Sequence, residues 1–265
     1  MRIAQAIAEA GIEAREARLL LAAASGFSGA SLLAHPEREL PGEVRDAFLG
    51  LAARRARGEP VAYILGRKEF YGLELAVAPT VLIPRPETEL LVELALAREP
   101  GSLLDLGTGS GAVALAVKRH RPGARVVAVE SSAAALVIAR RNAARHALEV
   151  ELRHGRWFEP VAGERFDVVL ANPPYVAAGD PHLEELKFEP REALVAGPEG
   201  LEAIREIVRG LAAHLGPGGW FFAEHGLGQD AAVRELLARA GLEAVRSWPD
   251  LAGIARVSGG RLKSD

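Results

Sequence analysis

The sequence contains no cysteine. Disulfides, thiolate metal sites and cysteine nucleophiles are thereby excluded, and a chain without disulfides suits a reducing compartment. No run is long enough and apolar enough to span a bilayer. The first residues, MRIAQAIAEAGIEAREARLLL, mix apolar and charged types at helical spacing. They form no apolar signal-peptide region. A basic excess is also missing: the net charge is -3 and the pI about 6.2, whereas a dedicated nucleic-acid binder usually carries a basic face. Basic residues do cluster at Arg54, Arg55 and Arg57, and again at Arg67 and Lys68; such runs are usually solvated faces or linker charges. The seven histidines are scattered without metal-ligand spacing, so no metal is expected. Arginine greatly outnumbers lysine, which fits either a biased genome or a hot habitat. These absences together predict a soluble, cytoplasmic protein with no membrane partner and no direct nucleic-acid partner.

What is present is globular material. The 265 residues are 49% hydrophobic and 25% charged, enough for a real core in one large domain or two ordinary ones. Residues 1 to about 60 read as helical. Ile3, Ile7 and Ala10 keep helical spacing, as do Ala14, Ala17, Leu20 and Leu21, and a third helix is expected over Gly42–Arg57. From about 61 the texture changes: Phe70-Tyr71-Gly72-Leu73-Glu74-Leu75 reads as a short hairpin. Pro86 with Glu87 and Glu89 marks a helix start. After Pro100 strands (102–106, 125–130, 149–153, 166–171, 218–224, 243–248, 253–258) alternate with helices (111–120, 132–146, 198–214, 229–240). Alternation of this kind means βαβ units and a mostly parallel sheet covered on both faces. The last two strands lack an intervening helix, so an antiparallel edge is expected.

Asp105-Leu106-Gly107-Thr108-Gly109-Ser110-Gly111 follows the first of these strands and opens a helix. Glycines let the backbone turn sharply and approach a ligand, and the helix N-terminus behind them supplies unpaired N–H groups. The plain alternative is a tight strand-to-helix turn. Two details sharpen the reading. The spacing is G-x-G-x-G, not the G-x-G-x-x-G of dinucleotide binders, which counts against a nicotinamide-dependent oxidoreductase. Glu130 ends the next strand, where an acid can accept hydrogen bonds from both ribose hydroxyls or simply favour the following helix. Loop and acid together resemble the nucleoside-binding arrangement of class I methyltransferases. Asp105 either orients the loop or reaches the amine of a bound cofactor.

Asn172-Pro173-Pro174-Tyr175 is the strongest local signal. It follows the apolar strand Phe166–Ala171, and open α/β sheets bind ligands outside the carboxyl ends of their strands. As a bare turn, Asn-Pro-Pro is merely rigid. As chemistry, it suits a planar nitrogen. An amide nitrogen is a poor nucleophile because its lone pair is delocalised into the carbonyl. Acceptors on its two N–H groups would hold it pyramidal and turn the lone pair toward an electrophile. Asn172 offers a side-chain oxygen and Pro173 a backbone carbonyl with no competing N–H. The prolines lock the dihedrals, and Tyr175 offers a flat face. A methyl group on a sulfonium is already activated, so alignment and electrostatic stabilisation suffice. Planar NH2 groups also occur on nucleobases, so the motif by itself does not choose between an amide and an RNA or DNA base.

Beyond these motifs, the chain resembles one family across nearly its full length: the release-factor glutamine N5-methyltransferases (HemK/PrmC). The stretches that carry the resemblance are Gly58–Gly66, Glu69–Leu73, Val81–Glu89, Asp105–Gly111, Trp157-Phe158, Asn172–Tyr175, Phe188-Glu189-Pro190 with Ala193-Leu194, and Glu224-His225-Gly226. The resemblance implies methyl transfer from S-adenosylmethionine, with S-adenosylhomocysteine as product, to the glutamine of a Gly-Gly-Gln tip on a peptide-chain release factor. It implies cofactor contacts from Gly107, Thr108, Gly109, Ser110, Gly111, Glu130, Trp157 and Asn172. Glutamine contacts are implied for Asn172, Pro173, Pro174 and Tyr175, with Asn172, Pro173 and Tyr175 at the chemistry. It also implies a Rossmann-like, seven-stranded class I methyltransferase domain over 73–265. A small helical substrate-recognition domain is expected over 1–72, with a hairpin linker beginning near 61. An alternative is an N-methyltransferase acting on an exocyclic amino group of RNA or DNA. One departure stands out: relatives often have an acid just before the Trp-Phe pair, and here it is Arg156. Adenine recognition would then rest on Trp157 stacking and backbone groups, unless Trp157 only packs the core. Arg85 either reaches the cleft or braces a helix start, and His225 is read as structural.

Overall fold

The computed structural model describes residues 1–264. By its contacts the chain divides into two units, Met1–Arg67 and Lys68–Asp265. The first holds five helices: α1 (Ile3–Glu9), α2 (Ala14–Ser25), α3 (Gly29–Ala34), α4 (Gly42–Ala56) and α5 (Val61–Leu65). Glycines end α2 and α5 in the left-handed conformation, Gly26 at φ 72° and Gly66 at φ 67°, a common way to stop a helix. Ile3, Ala6, Ala17, Leu20, Leu21, Leu32, Phe48 and Ile64 form this unit's core. Two of the clustered arginines are committed within it: Arg54 pairs with Glu59 and Arg55 with Glu16. Arg57 is exposed.

The second unit opens with a hairpin, β1 (Arg67–Phe70) and β2 (Leu73–Ala76), then α6 (Glu89–Leu96). Alternation follows: β3 (Ser102–Leu106), α7 (Ala112–His120), β4 (Arg125–Glu130), α8 (Ala133–Arg145), β5 (Glu151–His154), β6 (Phe166–Ala171), α9 (Glu202–His214), β7 (Leu215–Glu224), α10 (Asp230–Arg239), β8 (Glu243–Pro249) and β9 (Ala255–Arg261). Residues 61–65 are helical, and the hairpin residues Phe70, Leu73 and Leu75 are buried in the second unit's core.

The seven strands run in the order β5-β4-β3-β6-β7-β9-β8. The first five pair in parallel, and β9 pairs antiparallel with both β7 and β8. Side chains alternate across the sheet. Leu103, Val126, Ala128, Val168, Leu170 and Phe222 pack with α6, α7 and the hairpin. Leu104, Leu106, Val127, Val129, Val169, Ala171, Phe221 and Ala223 pack with α9 and α10. The near-continuous apolar runs of the central strands follow from this two-sided burial. The order reverses between β3 and β6, the place where such sheets open a crevice at their carboxyl ends. Among the described residues no helix is long and apolar enough to cross a membrane.

Candidate functional site

A cavity of about 440 Å³ lies at this switch point, within the second unit. The glycine loop after β3, the ends of β4 and β6, the segment 80–84, and α9 residues Ala203 and Glu206 line it. Gly107, Gly109 and Gly111 adopt φ of 73°, 57° and 84°, a region costly for residues with a Cβ. Gly107, Thr108, Gly109 and Ser110 face the cavity, and Gly111 does not. A Cβ on Gly111 would come within 3.1 Å of Leu115 Cδ1 and 3.5 Å of Ala139 Cβ, so this glycine allows α7 and α8 to approach.

Glu130 and the loop hold each other. The carboxylate accepts from Gly109 N–H at 2.9 Å and from Ser132 N–H at 2.8 Å. Ser131 Oγ also donates to Oε1 at 3.5 Å; a carboxylate has about four lone-pair sites, so Oε2, with the Gly109 N–H alone, retains capacity for a ligand hydroxyl. Asp105 lies beneath the loop and accepts from Thr108 Oγ1 at 2.6 Å. Burial pushes its carboxyl up to about 6, against the lowering effect of Thr108 and the Ala114 N–H. Asp105 therefore orients the loop, and it also lines the cavity.

A buried asparagine that the sequence reading missed braces the same side. Asn142 on α8 accepts from Ala76 N–H at 2.7 Å and donates to Ala76 O at 3.0 Å and Ser110 O at 2.9 Å. One carboxamide thus ties the hairpin exit to the glycine loop. Its sequence setting, Arg140-Arg141-Asn142, looks like a solvated helix face, and only the helical phase with Ala135, Leu136 and Ala139 marks it as inward-facing.

Trp157 lines the cavity with a left-handed backbone (φ 47°). Its ring reaches the loop, 3.5 Å from where a Gly107 Cβ would stand. It also packs at the edge of the core. Phe158 anchors it by stacking on His214 with ring centroids 4.3 Å apart, and Gly210 leaves room for the Phe158 ring. Arg156 turns to Glu206, donating from Nε at 2.9 Å and from a second guanidinium nitrogen. This pairing, with Trp157 behind it, holds the Glu206 carboxyl below its usual range. Trp157 Nε1 is directed toward Glu206 but has no partner of full hydrogen-bonding geometry. The acid at this rim thus comes from α9 and not from the position before Trp157.

The Asn-Pro-Pro-Tyr segment leaves the carboxyl end of β6. Asn172 and Pro174 line the cavity; Pro173 is buried and Tyr175 stands off the lining. Asn172 Nδ2 donates to Thr88 Oγ1 at 3.2 Å. Tyr175 Oη donates to Glu224 Oε1 at 3.2 Å, and Gln229 Nε2 donates to Tyr175 O at 3.0 Å. Burial, then the Glu224 charge, raises the Tyr175 phenol. Burial likewise raises the Glu224 carboxyl, against the lowering effect of Thr88 and Tyr175. Thr88 and Glu224 are the other partners that the site reading missed. Both stand within stretches that carry the family resemblance, and neither carries a local signal of its role. Arg85 braces the approach: it pairs with the buried Glu189, which also accepts from Ile83 N–H at 3.0 Å. His225 is buried, with Nδ1 3.0 Å from Gly226 O and Nε2 2.9 Å from Ser258 Oγ, which suits a structural group.

The comparisons agree with this architecture. Residues 86–188 match the methyltransferase small domain family and residues 1–66 the PrmC N-terminal domain. A release factor glutamine methyltransferase of Xylella fastidiosa (strain Temecula1) is 49% identical, covering 94% of each chain. Its namesake from Burkholderia pseudomallei is 50% identical, covering 95% of this chain and 93% of its own. Among solved structures, the Thermus thermophilus 16S rRNA N2 G1207 methyltransferase, in complex with AdoMet and guanosine, shares the fold. Its TM-score is 0.56 at 24% identity, covering 74% of this chain and 50% of its own. With half of its sequence shared with curated relatives along nearly its whole length, this chain belongs to the release factor glutamine methyltransferase family.

Proposed function

We propose that the protein transfers the methyl group of S-adenosylmethionine to the side-chain amide nitrogen (N5) of the glutamine in the Gly-Gly-Gln tip of peptide-chain release factors. The observation that carries this reading is the meeting of Asn172 and Pro174 with the Gly107–Ser110 loop and Glu130 around one cavity. The family relationship supplies the substrate class, since the relatives are named for release factor glutamine.

The residues fit the cofactor. Gly107 and Gly109 give a backbone that can approach it closely, and Glu130 is held at the strand end with Oε2 able to accept from a ribose hydroxyl. Trp157 presents a ring beside the loop for the adenine. When bound, S-adenosylmethionine supplies an electrophilic methyl on a positively charged sulfur. Asn172 Oδ1 and the Pro173 carbonyl accept from the substrate's two amide N–H groups, draw its nitrogen out of conjugation and aim its lone pair. The Asn172 and Pro173 oxygens then stabilise the positive charge that develops on nitrogen. Tyr175, whose hydroxyl donates to Glu224, stands behind the Asn172 and Pro174 wall of the cavity.

The helices of Met1–Arg67 carry no acid, base or ligand constellation facing this chemistry in the sequence. A glutamine at a loop tip offers little surface, so selectivity needs contacts elsewhere on the partner. We assign recognition of the release factor to this unit. The test offers labelled S-adenosylmethionine together with a purified release factor, the same factor with its Gly-Gly-Gln glutamine replaced, ribosomal RNA, transfer RNA and DNA. Label should enter the intact release factor alone; label in a nucleic acid instead would overturn the substrate assignment.

A further inference from the structure

The cavity has a direction. In the sheet order β5-β4-β3-β6, Glu130 ends β4 and Asn172 directly follows β6, on the other side of β3. A methyl donor whose ribose meets Glu130 and whose methyl group faces Asn172 must extend its base past β4, toward β5. The residues that line the cavity there are Gly155, Arg156 and Trp157, which follow β5. Gly155 N–H donates to Glu130 O at 3.0 Å, so this segment starts beside the proposed ribose contact.

One face of α9 closes the same end. Glu206, Gly210 and His214 recur every four residues, the spacing of a single helix face. His214 stacks on Phe158, Gly210 leaves room for the Phe158 ring, and Glu206 pairs with Arg156. Glu206 lines the cavity, and so does Ala203 one turn earlier. The contacts of residues 156 and 158 with this face hold a carboxylate at the far end of the cavity from Asn172.

We propose that Glu206, held by Arg156, is the specificity-determining acid at the nucleobase end and selects adenine by its exocyclic amino group. The inference rests on the methyl-transfer reading above. Arg156 Nε donates to Glu206 Oε1 at 2.9 Å, and a second guanidinium nitrogen donates to Oε2. A guanidinium fork fixes the plane of a carboxylate. It takes one of about two acceptor sites on each oxygen and leaves the others. A half-exposed carboxylate against a guanidinium stays ionised at neutral pH, so the sites that remain can only accept. At its 6-position adenine carries an amino donor, whereas guanine carries a carbonyl acceptor. An acceptor-only group pairs with the first and repels the second. Trp157 offers a ring face that any purine can use. Stacking therefore supplies affinity, and Glu206 supplies the choice of base. Because the pair is half exposed, water softens the penalty for the wrong base. A selection of about tenfold to a hundredfold is expected, well short of what an enclosed polar site achieves.

The test is calorimetry on the full-length protein with S-adenosylhomocysteine and S-inosylhomocysteine, whose base has a carbonyl in place of the amino group. The parent should bind the adenosyl compound at least about tenfold more tightly. Glu206→Gln keeps the size of the side chain but offers a donor as well as an acceptor. It should bring the two affinities within about threefold of each other, with the inosyl compound binding no worse than to the parent. Arg156→Ala leaves the carboxylate unheld and should lower the preference part of the way. Release-factor methylation by Glu206→Gln at saturating S-adenosylmethionine should stay within about threefold of the parent, because this end of the cavity is remote from Asn172. Equal losses of both compounds in Glu206→Gln would show a structural role alone and overturn the proposal. So would a Glu206→Gln variant that keeps the parent's full preference, or a parent that prefers the inosyl compound, as the Arg156 donors by themselves would dictate. Each of these results leaves the methyl-transfer reading standing, since the parent still binds S-adenosylhomocysteine. A parent that binds neither compound would overturn both.

Discussion

The two sides of the cleft are built by different means. On the Glu130 side the backbone does most of the work: the loop glycines turn at positive φ, the Gly107 and Gly111 N–H groups pair with Val129 O and Thr108 O, and the Gly109 N–H donates to Glu130 at the next strand end. On the Asn172 side, side chains hold side chains: Asn172 leans on Thr88, and Tyr175 on Glu224. In the proposed reading the first construction shapes the cofactor side of the cavity. In the same reading the second orients the side chains beside the nitrogen that receives the methyl group. The difference teaches that binding and turnover should separate under mutation along the line between these two sides.

The largest expected effect that would break this separation is at the brace. Asn142→Leu leaves Ala76 N–H, Ala76 O and Ser110 O unpaired in the interior. It should cost roughly 2–4 kcal/mol of stability, on the scale of several buried groups losing partners. Chemical denaturation measures this, and a loss below about 1 kcal/mol would show that the loop is not held from α8. Gly109→Val comes next. A β-branched residue at φ 57° is strained, and moving the loop disrupts the bond from Gly109 N–H to Glu130. Cofactor affinity should fall about tenfold to a hundredfold, equivalent to roughly 1.4–2.8 kcal/mol, with kcat at saturating cofactor far less affected. Calorimetry alongside steady-state kinetics checks the split.

Asp105→Asn sharpens the same side through pH. The folded-state pKa of Asp105 is raised from 3.8 to about 6, so the folded protein binds a proton that the unfolded chain releases. Asp105 then costs nothing below the unfolded value, and stability declines as pH rises from about 4 to 6. Asn keeps an acceptor for Thr108 without the charge. The variant should lose that decline and gain roughly 1–3 kcal/mol at neutral pH relative to the parent, as read from denaturant midpoints. An unchanged pH dependence would remove Asp105 as its source. The smallest effect is expected at Arg156→Ala. Its pair with Glu206 is half exposed, with the arginine side chain 53% accessible, so stability should change by no more than about 1 kcal/mol. Any change in cofactor affinity would mark the α9 acid as part of the nucleobase end of the cavity.

What was legible in the sequence follows the same division. β3, β4 and β6 lie where their apolar runs place them, because two-sided burial writes itself into consecutive residues. The glycine loop and Glu130 were legible because their chemistry is local: a strand, a turn, a helix and the next strand end. Shorter elements without a long period, such as α3 and α5, were not separately visible, and β7 begins at Leu215 rather than 218 because a register shift beside Phe166 and Val168 extends it. Thr88, Asn142, Glu206 and Glu224 escaped for a different reason. Each acts on a residue tens of positions away in the chain, and no spacing rule connects them. Arg85 illustrates the point: its two readings separate only once Glu189 stands beside it.

The central claim is that the Glu130 side binds and the Asn172 side turns over. Its most direct test is a side-by-side measurement on Glu130→Ala and Asn172→Ala: cofactor affinity by calorimetry, and the single-turnover rate of release-factor methylation at saturating cofactor. The account predicts that Glu130→Ala loses most of its affinity and keeps most of its single-turnover rate. Asn172→Ala should keep affinity within several-fold while its rate falls at least tenfold to a hundredfold, the cost of roughly 1–3 kcal/mol of lost transition-state hydrogen bonding. Asn172→Ala turning over at the parent's rate, or the two variants failing in the same way, would contradict it.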